Sequence, residues 1–149
     1  MEIQGTVRDI LHNKGSELWT TTPQSSVYDA IRIMGEHNIG ALVVLDDGKV
    51  AGVFSERDYS RKVALQGRTS RDTFISEILS RPAITVQLKD SVGTCMELMT
   101  KNRIRHLPVL ENHTLIGLVS MGDIVNWMLQ TQKHLIDQLQ GYISGGYPA

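Results

Sequence analysis

Gly52-Val53-Phe54-Ser55-Glu56-Arg57-Asp58 is a short phrase that this chain uses twice, the second time as Gly117-Leu118-Val119-Ser120-Met121-Gly122-Asp123. Both read as glycine, two strand-forming apolar residues, a serine, two variable residues and an aspartate. A buried strand that delivers a hydroxyl and a carboxylate to the start of a helix is a plausible sugar or anion site. Helix N-termini present unpaired N–H groups that suit phosphate. A carboxylate there can accept two hydrogen bonds from the cis hydroxyls of a ribose, as an acidic residue does in dinucleotide folds. One copy is weak evidence, and two at a fixed distance are strong.

The distance is 65 residues, since 120 − 55 and 123 − 58 agree. Sliding the chain by that amount extends the match without a gap: Thr20 onto Thr85, Ser26 onto Ser91, Met34 onto Met99, Ile39 onto Ile104, Leu42 onto Leu107 and Val44 onto Val109. Self-similarity of this kind decides architecture. With only two copies, the pattern reads as a duplicated unit with internal pseudo-twofold symmetry rather than a solenoid.

Composition sets the outer bounds. The chain has 149 residues, of which 41% are hydrophobic, enough to build one compact core. No apolar run is long enough to span a bilayer. A net charge of −1 argues against nucleic acid held by bulk charge. The single cysteine, Cys95, allows no intrachain disulfide and fits a reducing compartment. Met1-Glu2-Ile3-Gln4 does not begin a signal peptide, and the first dozen residues are poor in arginine and serine. The expectation is a cytoplasmic protein with no membrane partner.

In chain order, Ile3, Val7, Ile10 and Leu11 fall at helical spacing, with Gly15 as a stop. In each repeat a helix then starts at a serine: Ser26, with Asp29 resembling a capping box, and Ser91, the weaker copy. The apolar faces are Val27, Ala30, Ile31 and Met34, then Val92, Cys95, Met96 and Met99. Cys95 thus takes the place of Ala30 and reads as a small buried side chain rather than a nucleophile. Two strands follow each helix, Ala41–Leu45 with Val50–Phe54 and His106–Leu110 with Leu115–Ser120. The first pair turns through Asp46-Asp47-Gly48, which is hairpin chemistry. The second turns through Glu111-Asn112-His113, where Asn112 best tolerates a positive φ. A second helix is expected from about Arg57 and from about Gly122. Ile75–Leu79 reads as a short linking helix ended by Arg81-Pro82.

The fold class expected is therefore α/β (α+β): two pseudo-symmetric repeats, each strand-helix-strand-strand-helix, with extra N- and C-terminal helices. The boundaries are 1–15 for the first helix, 16–67 and 81–130 for the repeats, 68–80 for the linker, and 131–149 for the C-terminal extension and tail. The last helix outruns its counterpart. Val125, Met128, Leu129, Gln132, Leu135, Ile136 and Leu139 make a stripe that the first helix or a second subunit must cover. Gly141 to Ala149 reads as a loosely held tail.

These motifs resemble the tandem CBS-domain (Bateman) module. The resemblance rests on Gly52–Asp58, Gly117–Asp123, Ser-Glu-Arg-Asp-Tyr-Ser-Arg-Lys at 55–62 and Arg-Ile-Arg-His-Leu-Pro-Val at 103–109. It covers about residues 12–130 and is closest to small stand-alone members that end in an extra helix. It implies a cleft that binds adenine nucleotides, and a homodimer arranged as a flat disc. It also implies that Asp58 and Asp123 bind ribose hydroxyls, with Ser55 and Ser120 near the ribose or phosphate. Ile39, Gly40 and Ala41 would form one base edge, and Ile104, Arg105 and His106 the other. Trp19 and Ile84 would cover the bases, with Thr20 and Pro108 completing the lining. Helix capping by the same serines and aspartates is the alternative.

The cations distinguish the two copies. Arg57, Arg61 and Lys62 lie on the helix of the first. Arg57 and Arg61, four apart, repel unless an anion sits nearby. The second copy has Met121-Gly122 at that point, and its cations come earlier, at Arg103, Arg105 and His106. Glu56 and Asp58 offer the alternative of a solvated, self-balanced face. His106 is read as a phosphate donor whose charge varies with pH near neutrality. Lys14 is either a phosphate ligand or a helix C-terminal cation. Two chemically unequal sites follow, with AMP (or ADP or ATP) and NAD as the leading pair.

No metal-ligand spacing, nucleophile motif or paired acid and base is visible. The leading reading is a regulatory sensor of adenine nucleotides that is not an enzyme and modulates an unknown partner protein. The alternative is a purely structural dimerisation module with an unoccupied cleft.

Overall fold

The computed structural model describes residues 3–15, 17–79 and 82–143. Its elements are α1 (Val7–Lys14), β1 (Thr20–Thr21), α2 (Val27–His37), β2 (Ala41–Asp46), β3 (Lys49–Ser55) and α3 (Glu56–Asp58). The second half holds β4 (Val86–Gln87), α4 (Val92–Asn102), β5 (His106–Glu111), β6 (Thr114–Ser120) and α5 (Met121–Gly141). The chain forms two three-stranded sheets, ordered β1-β2-β3 and β4-β5-β6. In each the first pair is parallel and the second antiparallel. This mixed α/β architecture is the one expected from the duplicated pattern.

The duplication is faithful down to its irregularities. β2–β3 slips register between Val44 and Leu45, and β5–β6 does so between Val109 and Leu110, so Ala51 and Ile116 are the extra residues of matching bulges. Both hairpins turn through two left-handed residues, Asp47 (φ 52°) with Gly48 (φ 77°) and Asn112 (φ 50°) with His113 (φ 65°). The second turn thus accepts a histidine where the first has glycine, at about 1–2 kcal/mol of backbone strain. α2 and α4 also end alike, in left-handed Asn38 (φ 53°) and Arg103 (φ 54°).

Several helix boundaries differ from those read in the sequence. α1 starts at Val7, where Asp9 accepts from the Thr6 N–H at 2.9 Å, so Ile3 precedes the helix and packs against the second repeat's core. At Ser26 only half of the box forms: Ser26 accepts from the Asp29 N–H, whereas the Asp29 carboxylate faces Arg32. Beyond Asp58 the helix widens into π-type turns over Tyr59–Ala64, with the Leu65 N–H donating to the Ser60 carbonyl five residues back. The linker forms one 3₁₀ turn, Ile75–Glu77, in which Glu77 accepts from the Phe74 N–H. Arg81 and the end of the tail, 144–149, lie outside the described residues.

The two repeats exchange their leading segments. The Val92 N–H donates to the Gly5 carbonyl and the Val7 N–H to the Asp90 carbonyl, which ties α1 to the second repeat. In the same way Val27 donates to Thr73 and Ile75 to Ser25, which ties the linker to the first. Val7 and Ile10 are accordingly buried with Val86, Val92, Cys95, Met99 and Ile124. Ile75 and Ile78 are buried with Val27, Met34, Leu42 and Phe54. Leu11 also explains the second glycine of the repeated phrase, because a Cβ on Gly117 would lie 2.9 Å from its Cδ2. Each core therefore needs a segment that lies next to the other repeat in sequence.

Candidate functional site

Each repeated phrase ends where a strand becomes a helix, β3 into α3 and β6 into α5. In the first copy the Asp58 carboxylate Oδ2 accepts from the Ser55 N–H at 2.9 Å, and Ser55 Oγ accepts from the Asp58 N–H at 3.2 Å. In the second the corresponding distances, Ser120 to Asp123, are 2.8 and 3.1 Å. These are reciprocal capping boxes. Capping is therefore a real task of all four residues, and it fixes each carboxylate where its strand turns into a helix.

Each aspartate also holds a lysine, and the two lysines arrive by different routes. Lys62, four residues on, reaches Asp58 Oδ1 at 3.3 Å and also donates to the Ile78 carbonyl at 3.0 Å. Lys14 comes from the end of α1. Its Nζ reaches Asp123 Oδ2 at 2.6 Å and the Leu118 carbonyl at 2.7 Å. The sequence left Lys14 between two roles, and the structure assigns it an ion pair 109 residues away. It follows from the exchanged α1, which places the residues just before β1 beside the second repeat's aspartate. A small hollow opens beside this pair, lined by Asn13, Asn126, Trp127 and Gln130 as well.

The edges of the two repeats meet in the middle. The Glu56 N–H donates to the Gly40 carbonyl and the Met121 N–H to the Arg105 carbonyl, the same bond in both copies. A Cβ on Gly40 would lie 3.8 Å from His106 Cε1 and Nε2, so the imidazole packs over the glycine of the other repeat. Arg57 Nη1 donates to the Arg103 carbonyl at 3.5 Å. The Arg57 guanidinium thus reaches the backbone of the other copy, at a residue the sequence had assigned to the other site. Arg61 and Arg105 are exposed, Lys62 is half-buried, and Ala41 and Pro108 are buried in their strands.

His106 is half-buried. Burial holds its pKa below the ordinary histidine value, Asp123 opposes that shift, and Lys14 and Arg105 add to it. Its positive form belongs to acidic solution rather than to neutrality. Cys95 is buried, and desolvation, reinforced by Asp90, pushes its thiol up to about 11. That supports the packing role and removes it as a nucleophile.

Trp19 lies just ahead of β1, 38% exposed, with its indole stacked on the His37 imidazole at 3.5 Å between centroids. His37 was missed in the sequence, where its only signal was its place as the last residue of α2. Ile84 and Thr85 lead into β4; Ile84 packs against the second repeat's core, whereas Thr85, with Pro82, Ala83, Leu110, His113 and β3 residues Lys49–Ala51, borders a hollow of about 420 Å³. Residues before β4 therefore face β3 of the first repeat. This hollow draws on both copies and includes neither aspartate. Among the described residues no group of His, Cys, Asp and Glu has a metal-holding arrangement, and no helix is long and apolar enough to cross a membrane.

Comparison with known proteins gives the family. A CBS-domain protein described as mitochondrial, CBSX3 of Arabidopsis thaliana, is 42% identical over 152 aligned positions, covering 95% of this chain and 73% of its own. A protein with CBS domains from Burkholderia ambifaria is 48% identical with a TM-score of 0.79, over 81% of this chain and 91% of that one. The CBS domain pair of protein MJ0100, solved with 5′-methylthioadenosine and S-adenosyl-L-methionine, is 28% identical with a TM-score of 0.75, over 87% and 98%. The CBS domain family model matches residues 6–65 and again 75–130, the first of these beginning at the cap of α1. With its repeats, its exchanged segments and its paired Ser-x-x-Asp corners, the chain belongs to the CBS-domain family and carries two copies in tandem.

Proposed function

We propose that this protein is a non-catalytic regulatory module that binds adenine nucleotides in the cleft between its repeats and thereby modulates a partner protein. The observation that carries the reading is the duplicated serine–aspartate corner, in which each fixed carboxylate holds a lysine. A ribose diol suits the carboxylate and a phosphate suits the lysine, so one nucleotide satisfies both members of the pair. The MJ0100 domain pair, crystallised with two adenosine-containing ligands, supports the ligand class. AMP, ADP or ATP is the leading occupant at one site and NAD at the other, in a cytoplasmic homodimer. The mitochondrial description belongs to the Arabidopsis relative.

Regulation then follows from linkage: the ligand shifts whichever arrangement of the repeats binds it better. Lys14 connects the Asp123 corner directly to α1, so a ligand that takes over either member of that pair acts on an exchanged segment. Equilibrium dialysis against AMP, ADP, ATP, NAD and S-adenosylmethionine tests the proposal, with saturable binding of at least one expected. Absence of binding at millimolar ligand overturns it. The second reading, a structural interaction module with an empty cleft, is favoured by one observation, the exposed apolar side of α5.

A further inference from the structure

The β5–β6 hairpin turns at the end of its strands away from the Ser120–Asp123 corner. His106 pairs with Ser120 at one end and Glu111 with Thr114 at the other, a separation of roughly 17 Å along the strand. Beside the turn lies an open hollow of about 470 Å³ lined from three separate segments. Arg8 comes from the start of α1, Gln87 and Lys89 from β4 and the loop after it, and Glu111, Asn112 and His113 from the turn. Among the described residues, the side chains of Arg8, Lys89 and His113 have no hydrogen-bond or ion-pair partner, and Glu111 lies in no ion pair. The duplication supplies a control. The Arg8 N–H donates to the Leu88 carbonyl as the Ser76 N–H donates to the Pro23 carbonyl, so Ser76 is the counterpart of Arg8. At the 65-residue spacing, Gln24, Gly48 and Asp47 are the counterparts of Lys89, His113 and Asn112. The first repeat thus has two carboxylates, Asp46 and Asp47, and no cation at positions where the second has one carboxylate, two full cations and an imidazole. The imidazole also sits on left-handed backbone (φ 65°) where its counterpart is glycine, and it is exposed, so packing does not offset that strain.

We propose that this hollow is a further ligand site, separate from the nucleotide cleft, which takes the phosphate group of a small phosphorylated molecule. Like charges brought to one hollow repel unless an anion joins them. Arginine can grip two oxygens of a phosphate in parallel, and an ammonium and an imidazole N–H add donors from other directions. Three donor groups from three segments suit the three terminal oxygens of a phosphomonoester better than the two of a carboxylate. Glu111 and the amides of Gln87 and Asn112 complete the rim with groups that accept from and donate to hydroxyls on the rest of the molecule. The volume falls within the range of small-molecule pockets.

This inference goes beyond the proposed function and does not rest on it. Titration of the full chain with glycerol 3-phosphate at constant ionic strength, followed by NMR, should shift the His113 imidazole resonances saturably in the millimolar range. The triple variant Arg8→Ser/Lys89→Gln/His113→Gly rewrites the hollow as its counterpart in the first repeat. It should weaken glycerol 3-phosphate binding about tenfold or more, with AMP and NAD binding in dialysis unchanged. His113→Gly alone should weaken binding without lowering the melting temperature, because glycine accepts the left-handed backbone freely. A histidine kept only for structure would give the reverse, a lower melting temperature with phosphate binding intact, and that result overturns the proposal. So does the absence of a saturable shift. Phosphate binding that the triple variant retains belongs to the lysines of the cleft and overturns this site as well. Cosedimentation with phosphatidic acid vesicles, lost in the triple variant, assigns the phosphate to a lipid headgroup, whereas glycerol 3-phosphate binding without cosedimentation assigns it to a soluble molecule; either result upholds the site. Failure of AMP and NAD to bind while glycerol 3-phosphate still does counts against the cleft reading and not against this one.

Discussion

His106 has its ring against Gly40, and burial first, then Lys14 and Arg105 against Asp123, hold its pKa below the ordinary value. Because its folded pKa is depressed, the unfolded chain takes up a proton that the folded chain resists. The stabilisation is complete above the ordinary histidine value of about 6.5 and is lost as pH falls through the folded pKa. Melting temperature should therefore drop as the buffer is acidified below that value. His106→Asn should flatten the part of the slope that belongs to this ring, leaving the other histidines to contribute as before. An unchanged slope in the variant would show that the imidazole is not held neutral by the cleft. The sequence singled out His106 by its place beside Arg105, but a neighbour list along the chain carries no burial. Part of what covers the ring is Gly40, from the other repeat, and so was out of view. The serine–aspartate corners were legible because their partners lie three residues apart. Lys14 was only half legible, since the carboxylate it holds is 109 residues away.

At the scale of elements, the joint between α1 and α5 rests on Gly5. Its φ of +104° suits glycine, and a Cβ there would lie 2.6 Å from Trp127 Cζ2. Gly5→Ala meets both obstacles, and since the indole also donates to Gln4, the ring has little room to retreat. The variant should lose on the order of 2 kcal/mol, seen as a melting temperature lower by several degrees, with the tryptophan fluorescence shifted. An unchanged melting temperature would mean that α1 is not clamped at this point. The periodic helices and strands were readable because a duplicated pattern checks each element against its twin: Val27, Ala30 and Met34 bury as Val92, Cys95 and Met99 do. What escaped the sequence was irregular or long-range. The π-type turns after Asp58 carry no composition signal, and one apolar stripe on α1 does not say which repeat it will join.

At the scale of the whole molecule, exchanged segments join the repeats, while their unequal cations set the two ends of the cleft apart. The Asp123 corner has Lys14, with the neutral His106 nearby, and α5 begins with Met121-Gly122 and no cation. The Asp58 corner has Lys62 and, one position earlier, Arg57, whose guanidinium already spans to the Arg103 carbonyl of the other repeat. A mononucleotide needs positive charge at one end only, whereas a dinucleotide carries a pyrophosphate and a second ribose along a longer path. The two corners should therefore prefer different adenine ligands. Lys14→Met removes the cation at the Asp123 corner, and the paired change Arg57→Met/Arg61→Met removes two from the other. Each should weaken one of AMP and NAD roughly ten- to a hundredfold, about 1.5–3 kcal/mol for a lost charge-assisted bond, and the two variants should affect opposite ligands. Arg105→Ala belongs to the same test. Its side chain is exposed beside His106, and its effect should follow the Lys14 variant and oppose the Arg57/Arg61 one. Titration calorimetry with each ligand on each variant reads this directly. Equal loss of both ligands in every variant would leave a single shared pocket, with the inequality of the cations reduced to surface charge.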